Sequence, residues 1–310
     1  MAEIEIGDAV ASGFGLIRRE PLAVLLWGLV YLVAMGVAFA AMGPVYAGLM
    51  TRMASHAASA GATPLDMRAM MGQMAQVQGV GMLVNILIGV VGMMIYCAVF
   101  RAILHPEQKR FGYLRLGMAE LFIFILGFAA NIVLVFALLI PLLVIGLIAG
   151  ILAASHSVAG AIIVAVVGGL AIFLALIYFA LRFSLVGPMI VDDGRFHLFE
   201  SWTLTKGRTV SLFVIGLSLI IILVVIEAIV GTIIVVVGVG VLGSVAGGLE
   251  NLPAFFRQPP QDLLSKLTPV IAIVALAWTP LVGCAMAIFA APWARAYRDL
   301  VGPSVAAEFG

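Results

Sequence analysis

Polar positions are so widely spaced along this chain that the apolar stretches between them run to membrane length. A helix needs about 20 apolar residues to cross roughly 30 Å of hydrocarbon. Six runs meet that length, at about 21–50, 75–104, 119–153, 158–191, 209–247 and 268–294. The pattern predicts an all-α polytopic membrane protein, with six transmembrane helices arranged as three helical hairpins. The third and fifth runs are long for one crossing. Pro141 predicts a kink in the third, because an internal proline removes a backbone hydrogen bond and collides with the preceding turn. The fifth carries glycines at 231, 238, 240, 243 and 247, and predicts a helix that bends or projects beyond the bilayer.

A short, partly polar segment precedes each odd-numbered run: 7–21, 107–120 and 199–209. These predict cytoplasmic interfacial helices, with apolar faces in lipid and basic groups toward the headgroups. Each even-numbered run ends in aromatics and arginine: YCAVFR (96–101), YFALR (178–182) and FAAPWARAYR (289–298). Repetition at this spacing predicts one transmembrane domain over 1–310, built from approximate parallel repeats 1–104, 105–191 and 192–310.

Basic residues set the orientation, because short cytoplasmic loops concentrate Lys and Arg. Arg18, Arg19, Arg101, Lys109, Arg110, Arg115, Arg182, Arg195, Lys206, Arg208, Arg295 and Arg298 fall on one side. Arg52, Arg68, Arg257 and Lys266 fall on the other. Both termini are therefore expected in the cytoplasm, and loops 51–74, 154–157 and 248–267 outside. Trp202, Lys206, Arg208, Trp293 and Arg295 read as interfacial anchors, since amphipathic rings and long cations favour the headgroup level.

Composition fits this reading: 64% of residues are hydrophobic and 10% charged, against about a quarter charged in soluble domains. A net charge of +1 gives no reason to expect nucleic-acid binding. Cys97 and Cys284 lie in apolar runs at different depths and read as free thiols. Residues 1–20 carry Glu3, Glu5, Asp8 and Glu20 beside Arg18 and Arg19, so they lack the basic region of a secretory signal.

Three constellations bear on chemistry. Glu227 is an acid deep in the fifth run, and an intramembrane acid is a functional candidate because charge is costly there. Asn85 and Thr279 reach a similar depth, so a polar layer of Asn85, Glu227 and Thr279 would form if their spans adjoin. The other readings of Glu227 are a protonated or hydrogen-bonded packing residue and a contact between subunits. Met67, Met70, Met71 and Met74 share one helical face. Thioethers suit Cu(I), and an amphipathic helix on the outer leaflet explains the same spacing. His56, His105, His156 and His197 are scattered, and Asp192 and Asp193 lie in a VDDGR turn. No nucleophile–base pair or metal cluster converges, so the sequence predicts no enzyme and no cofactor. GxxxG-type pairs at Gly146/Gly150 and Gly243/Gly247 permit close helix packing.

The stretch RFSLVGPMIVDDGRFHLFESWTLTKGRTVSLF (182–213) resembles the signature of the glycerophosphoryl diester phosphodiesterase membrane-domain-like group, which includes inner-membrane proteins of the YciC type. The opening IGDAVASGFGLIRREPLAVLL (6–26) and APWARAYRDL (291–300) are similar to the ends of that family. In fused members the phosphodiesterase chemistry belongs to a separate soluble domain. This chain carries no His-Arg-Gly stretch or paired metal-binding acids of that enzyme. The resemblance implies a membrane module of unknown function and not an esterase; the residues together are read as a non-enzymatic bacterial inner-membrane module, acting through oligomerisation or through binding of membrane lipid or a partner protein. The alternatives are a transporter or channel using the layer around Glu227, and Cu(I) handling by the Met face.

Overall fold

The computed structural model describes residues 4–58, 64–196, 198–255, 257–258 and 260–302. Among these residues the chain is helical, with no strand. Its helices are α1 (Ile6–Arg19), α2 (Pro21–Ala58), α3 (Pro64–Leu104), α4 (Met118–Ala154), α5 (Val158–Phe183), α6 (Val186–Asp193), α7 (Leu198–Leu204), α8 (Thr209–Ala246), α9 (Leu252–Phe255) and α10 (Pro260–Val301). Six of them, α2, α3, α4, α5, α8 and α10, are long and apolar enough to cross a membrane. The protein is thus an all-α polytopic membrane protein. Pro44 and Pro141 lie inside α2 and α4, and α8 runs unbroken for 38 residues.

The chain divides into two compact units. One draws on the chain up to Gly13, Cys97–Leu219 and the part from Ile288 on; the other comprises Phe14–Tyr96 and Ile220–Ala287.

In the first unit, the fourth apolar run is broken. α5 stops at Phe183 and a separate short helix, α6, begins at Val186. Pro188 explains the break, because in a continuous helix its ring would strike the carbonyl of Ser184. The Ser184 hydroxyl donates to Leu181 O at 2.8 Å and closes the last turn of α5. α6 ends at Gly194, whose φ of 71° needs no side chain. Val186, Met189, Ile190 and Val191 are buried, and Val186 and Ile190 cluster with Ala119 at the start of α4. Gly187 lets the Phe100 ring of α3 approach the α6 backbone. The small residues Ala290, Ala291, Ala294 and Ala296 bury one end of α10.

The second pre-span segment departs from the interfacial helix expected at 107–120. Arg110–Tyr113 is a tight turn in which Phe111, Gly112 and Tyr113 take φ values of 50°, 62° and 65°. Left-handed backbone is costly for bulky residues and persists only where the surroundings fix it. Segments 7–21 and 199–209 do contain helices, α1 and α7.

In the second unit, α2 and α10 meet through glycine. A Cβ on Gly28 would collide with the carbonyl oxygen of Thr279, and one on Gly283 with that of Val24. Val24/Gly28 and Thr279/Gly283 are each four apart, so the two helices offer one another matching steps of glycine and exposed carbonyl. Backbones that close are the geometry small residues permit inside a bilayer. At the far end of α8, the Gly248 N–H donates to Gly243 O at 2.8 Å and the Gly247 N–H to Ser244 O at 3.3 Å, with Gly247 at φ 78°. This Schellman arrangement caps the Gly-rich helix before the chain continues through a short turn at Leu249–Asn251 into α9.

Gly28→Ala and Gly283→Ala are each expected to lower the melting temperature of the detergent-solubilised protein, at a cost of about 1–3 kcal/mol from overpacking. Gly36→Ala, where a Cβ meets nothing within 4 Å, is expected to leave it unchanged or raise it by helix propensity. Equal effects at all three positions would contradict the close crossing.

Candidate functional site

The polar chemistry of the first unit gathers where spans end. Arg101, in the last turn of α3, is only 1% exposed, and it forms an ion pair with Glu120 in the first turn of α4. Its Nη1 donates to the carbonyl of Tyr113 at 3.0 Å. The second carboxylate oxygen of Glu120 accepts the Gly117 N–H at 2.9 Å, at the exposed-donor end of α4 where an acid is favoured. The Tyr113 hydroxyl donates to Pro106 O at 3.2 Å. The left-handed turn at 111–113 therefore has a purpose: it presents a carbonyl to a buried guanidinium. An unpaired buried charge costs several kcal/mol, so each partner requires the other.

A second cluster lies one turn beyond. His105 Nε2 sits 3.2 Å from Asp192 Oδ1, at the end of α6. The Tyr297 hydroxyl of α10 donates to Asp192 Oδ2 at 3.0 Å. Arg298 Nη1 donates to Ile103 O, an end carbonyl of α3, at 3.1 Å. His105 Nδ1 also lies 3.6 Å from the exposed Glu107. The hydrogen bond to Asp192 raises the His105 pKa above its ordinary 6.5; partial burial opposes the rise, and the charges of Asp192 and Glu107 add to it.

A third cluster ties α7 to the end of α5. The Ser201 hydroxyl donates to Arg182 O at 2.9 Å, a carbonyl left without a helical partner where α5 stops. Trp202 packs against Tyr178, Phe179 and Phe183, with ring centroids 5.8–5.9 Å apart. The Arg182 guanidinium lies 5.1 Å from both the Tyr178 and the Trp202 ring centroids, a cation–π position.

Comparison with protein-family models, curated proteins and solved structures finds no match to this chain.

The residues singled out in the sequence fall as follows. Glu227 is exposed, and among the described residues its side chain has no hydrogen bond or ion pair. Asn85 is exposed and donates to Gly81 O of its own helix at 2.9 Å. Thr279 is buried and donates to Ala275 O at 3.1 Å, again within its helix. No hydrogen bond joins the three. Met71 and Met74 are exposed, while the side chains of Met67 and Met70 lie outside the described residues. Among the described residues no three His, Cys, Asp or Glu side chains are grouped to hold a metal ion. His197 and the side chain of His56 also lie outside the described residues. Cys97 and Cys284 are free thiols. Lys206 is exposed; Trp293 packs under Gly216, and Arg295 pairs with Asp299 at 3.1 Å and reaches Asp8 at 3.9 Å.

Sequence reading missed the Arg101–Glu120 and His105–Asp192–Tyr297 sets. The available signal was the recurrence of arginine and aromatics at even-numbered span ends, with a lone acid opening the third apolar run.

The second unit contains a different feature. Beyond the Gly28–Thr279 crossing, α2, α8 and α10 enclose a cavity of about 500 Å³. Gly28, Tyr31, Leu32, Met35 and Phe39 line it from α2, Gly238 and Leu242 from α8, and residues between Leu267 and Val282 from α10.

The His105–Asp192 contact makes stability pH-dependent. Because the folded His105 pKa is raised, its stabilisation is complete below 6.5 and is lost as pH rises through the folded value. The melting temperature of wild type is expected to fall as pH rises from 6.5 through the raised folded value, and Asp192→Asn to flatten that slope. Parallel slopes in the two proteins would contradict the assignment.

Proposed function

We propose that the protein is a non-enzymatic module of the bacterial inner membrane that acts by assembling with membrane lipid or with further copies of itself, both termini lying in the cytoplasm. One observation carries this reading. The polar groups able to do chemistry are committed to one another at span ends: Arg101 to Glu120, and His105 and Tyr297 to Asp192. A general acid or base needs a free path to a substrate proton, and the contacts these groups make are to backbone and side chains of the same unit. The exposed Glu227 and Asn85 do not favour a polar path through the bundle. The excess of basic residues near Arg101, Arg182 and Arg298 supports the orientation. The resemblance of 182–213 to a phosphodiesterase-associated membrane module is compatible with this reading.

In nanodiscs formed from native membrane, mass spectrometry is expected to find the chain retaining lipid, additional copies, or both. In vesicles loaded with a pH-sensitive dye, it is expected to equilibrate protons no faster than empty vesicles, with Glu227→Gln unchanged. A proton flux abolished by Glu227→Gln would overturn the reading in favour of transport.

A further inference from the structure

The span-end ties leave the cavity of the second unit unexplained. Its α10 face follows helical spacing, with Leu267, Val270, Ile271, Val274, Trp278 and Val282 three or four residues apart. From 267 to 282 that face runs about 22 Å at 1.5 Å per residue. No charged side chain lines the cavity. The Thr279 hydroxyl in its lining is already bonded to Ala275 O. The floor is the buried Gly28–Thr279 crossing, and the rim is open at Phe39, 72% exposed, and Ile271, 56% exposed.

We propose that this cavity binds one acyl chain of a bilayer phospholipid. The proposal rests on the assembly reading above and names what is held. A volume near 500 Å³ lies within the usual range for small-molecule sites, about 300–1,000 Å³. If a methylene occupies roughly the 30 Å³ of a liquid water molecule, the space holds about sixteen carbons. All three lining helices qualify as membrane spans, so the medium that meets the open rim is hydrocarbon chain. The length of the α10 face exceeds the roughly 15 Å depth of one leaflet's hydrocarbon, enough for an extended chain. An ionic or strongly polar ligand would find no counter-charge in the lining, and burying it unpaired is costly. Gly238 keeps the α8 wall open: a Cβ there meets nothing within 4 Å, so a larger side chain would project into the space.

The test uses the full chain in vesicles of phosphatidylethanolamine and phosphatidylglycerol, with a trace of phosphatidylethanolamine bearing a diazirine in one acyl chain. After illumination, label is expected at Met35, Phe39, Leu242 and Val274. Gly238→Leu and, independently, Val274→Trp are expected to cut that labelling roughly tenfold, about 1.4 kcal/mol of affinity, while labelling of the exposed α4–α5 hairpin stays constant. Having two variants on different helices separates loss of the site from loss of the fold. Equal labelling of cavity and hairpin, insensitive to both variants, would overturn the acyl site. Crosslinks from cavity residues to a second copy would also overturn it, while leaving the assembly reading intact. A chain that retains neither lipid nor a second copy in nanodiscs would overturn both.

Discussion

The buried pair of Arg101 and Glu120 is the constraint on which the first unit depends. A guanidinium removed from water needs its charge matched, and gains further from any N–H that finds an acceptor. Glu120 supplies the charge and Tyr113 a carbonyl, the latter only because the turn at 111–113 adopts left-handed backbone. The loop between the second and third spans is therefore dictated by the needs of one arginine. Side chains also reach helix-end carbonyls nearby. Arg298 of α10 reaches an end carbonyl of α3, and Ser201 of α7 reaches one of α5. Helix ends leave four carbonyls each without helical partners, and these side chains supply part of what is missing.

The second unit is held differently. Its crossing of α2 and α10 uses no charge; two glycines admit the facing carbonyls. Inside a bilayer, lipid tails match apolar side chains in hydrophobicity, so close packing contributes more than burial. The crossing also shapes the space beside it. Residues following Gly28 on α2 and those preceding Thr279 on α10 line the cavity, so one contact both joins the helices and closes the cavity's floor.

The six spans were legible in the sequence, because apolar length is a direct readout of bilayer thickness. The break at Pro188 was legible in principle, since a proline inside an apparent span strikes the carbonyl four residues earlier. The Arg101–Glu120 pair was not, because its partners lie 19 positions apart across a turn that Phe111 and Tyr113 would not be expected to form. The layer of Asn85, Glu227 and Thr279 rested on depth alone. Counting residues along a helix gives height and leaves rotation undetermined: Thr279 faces inward, and Asn85 and Glu227 do not. The glycines of α8 signalled a special end, and the structure gives that end a glycine cap at Gly247 and Gly248.

The claim that span-end charges are structural ties, not reactive groups, is tested most directly by a double-mutant cycle on Arg101 and Glu120, reading unfolding free energy in detergent. Arg101→Met and Glu120→Leu alone are each expected to cost about 3–5 kcal/mol, and the double variant less than either, because removing both partners leaves no unpaired buried charge. Additive losses, with the double variant destabilised by the sum of the singles, would contradict the account.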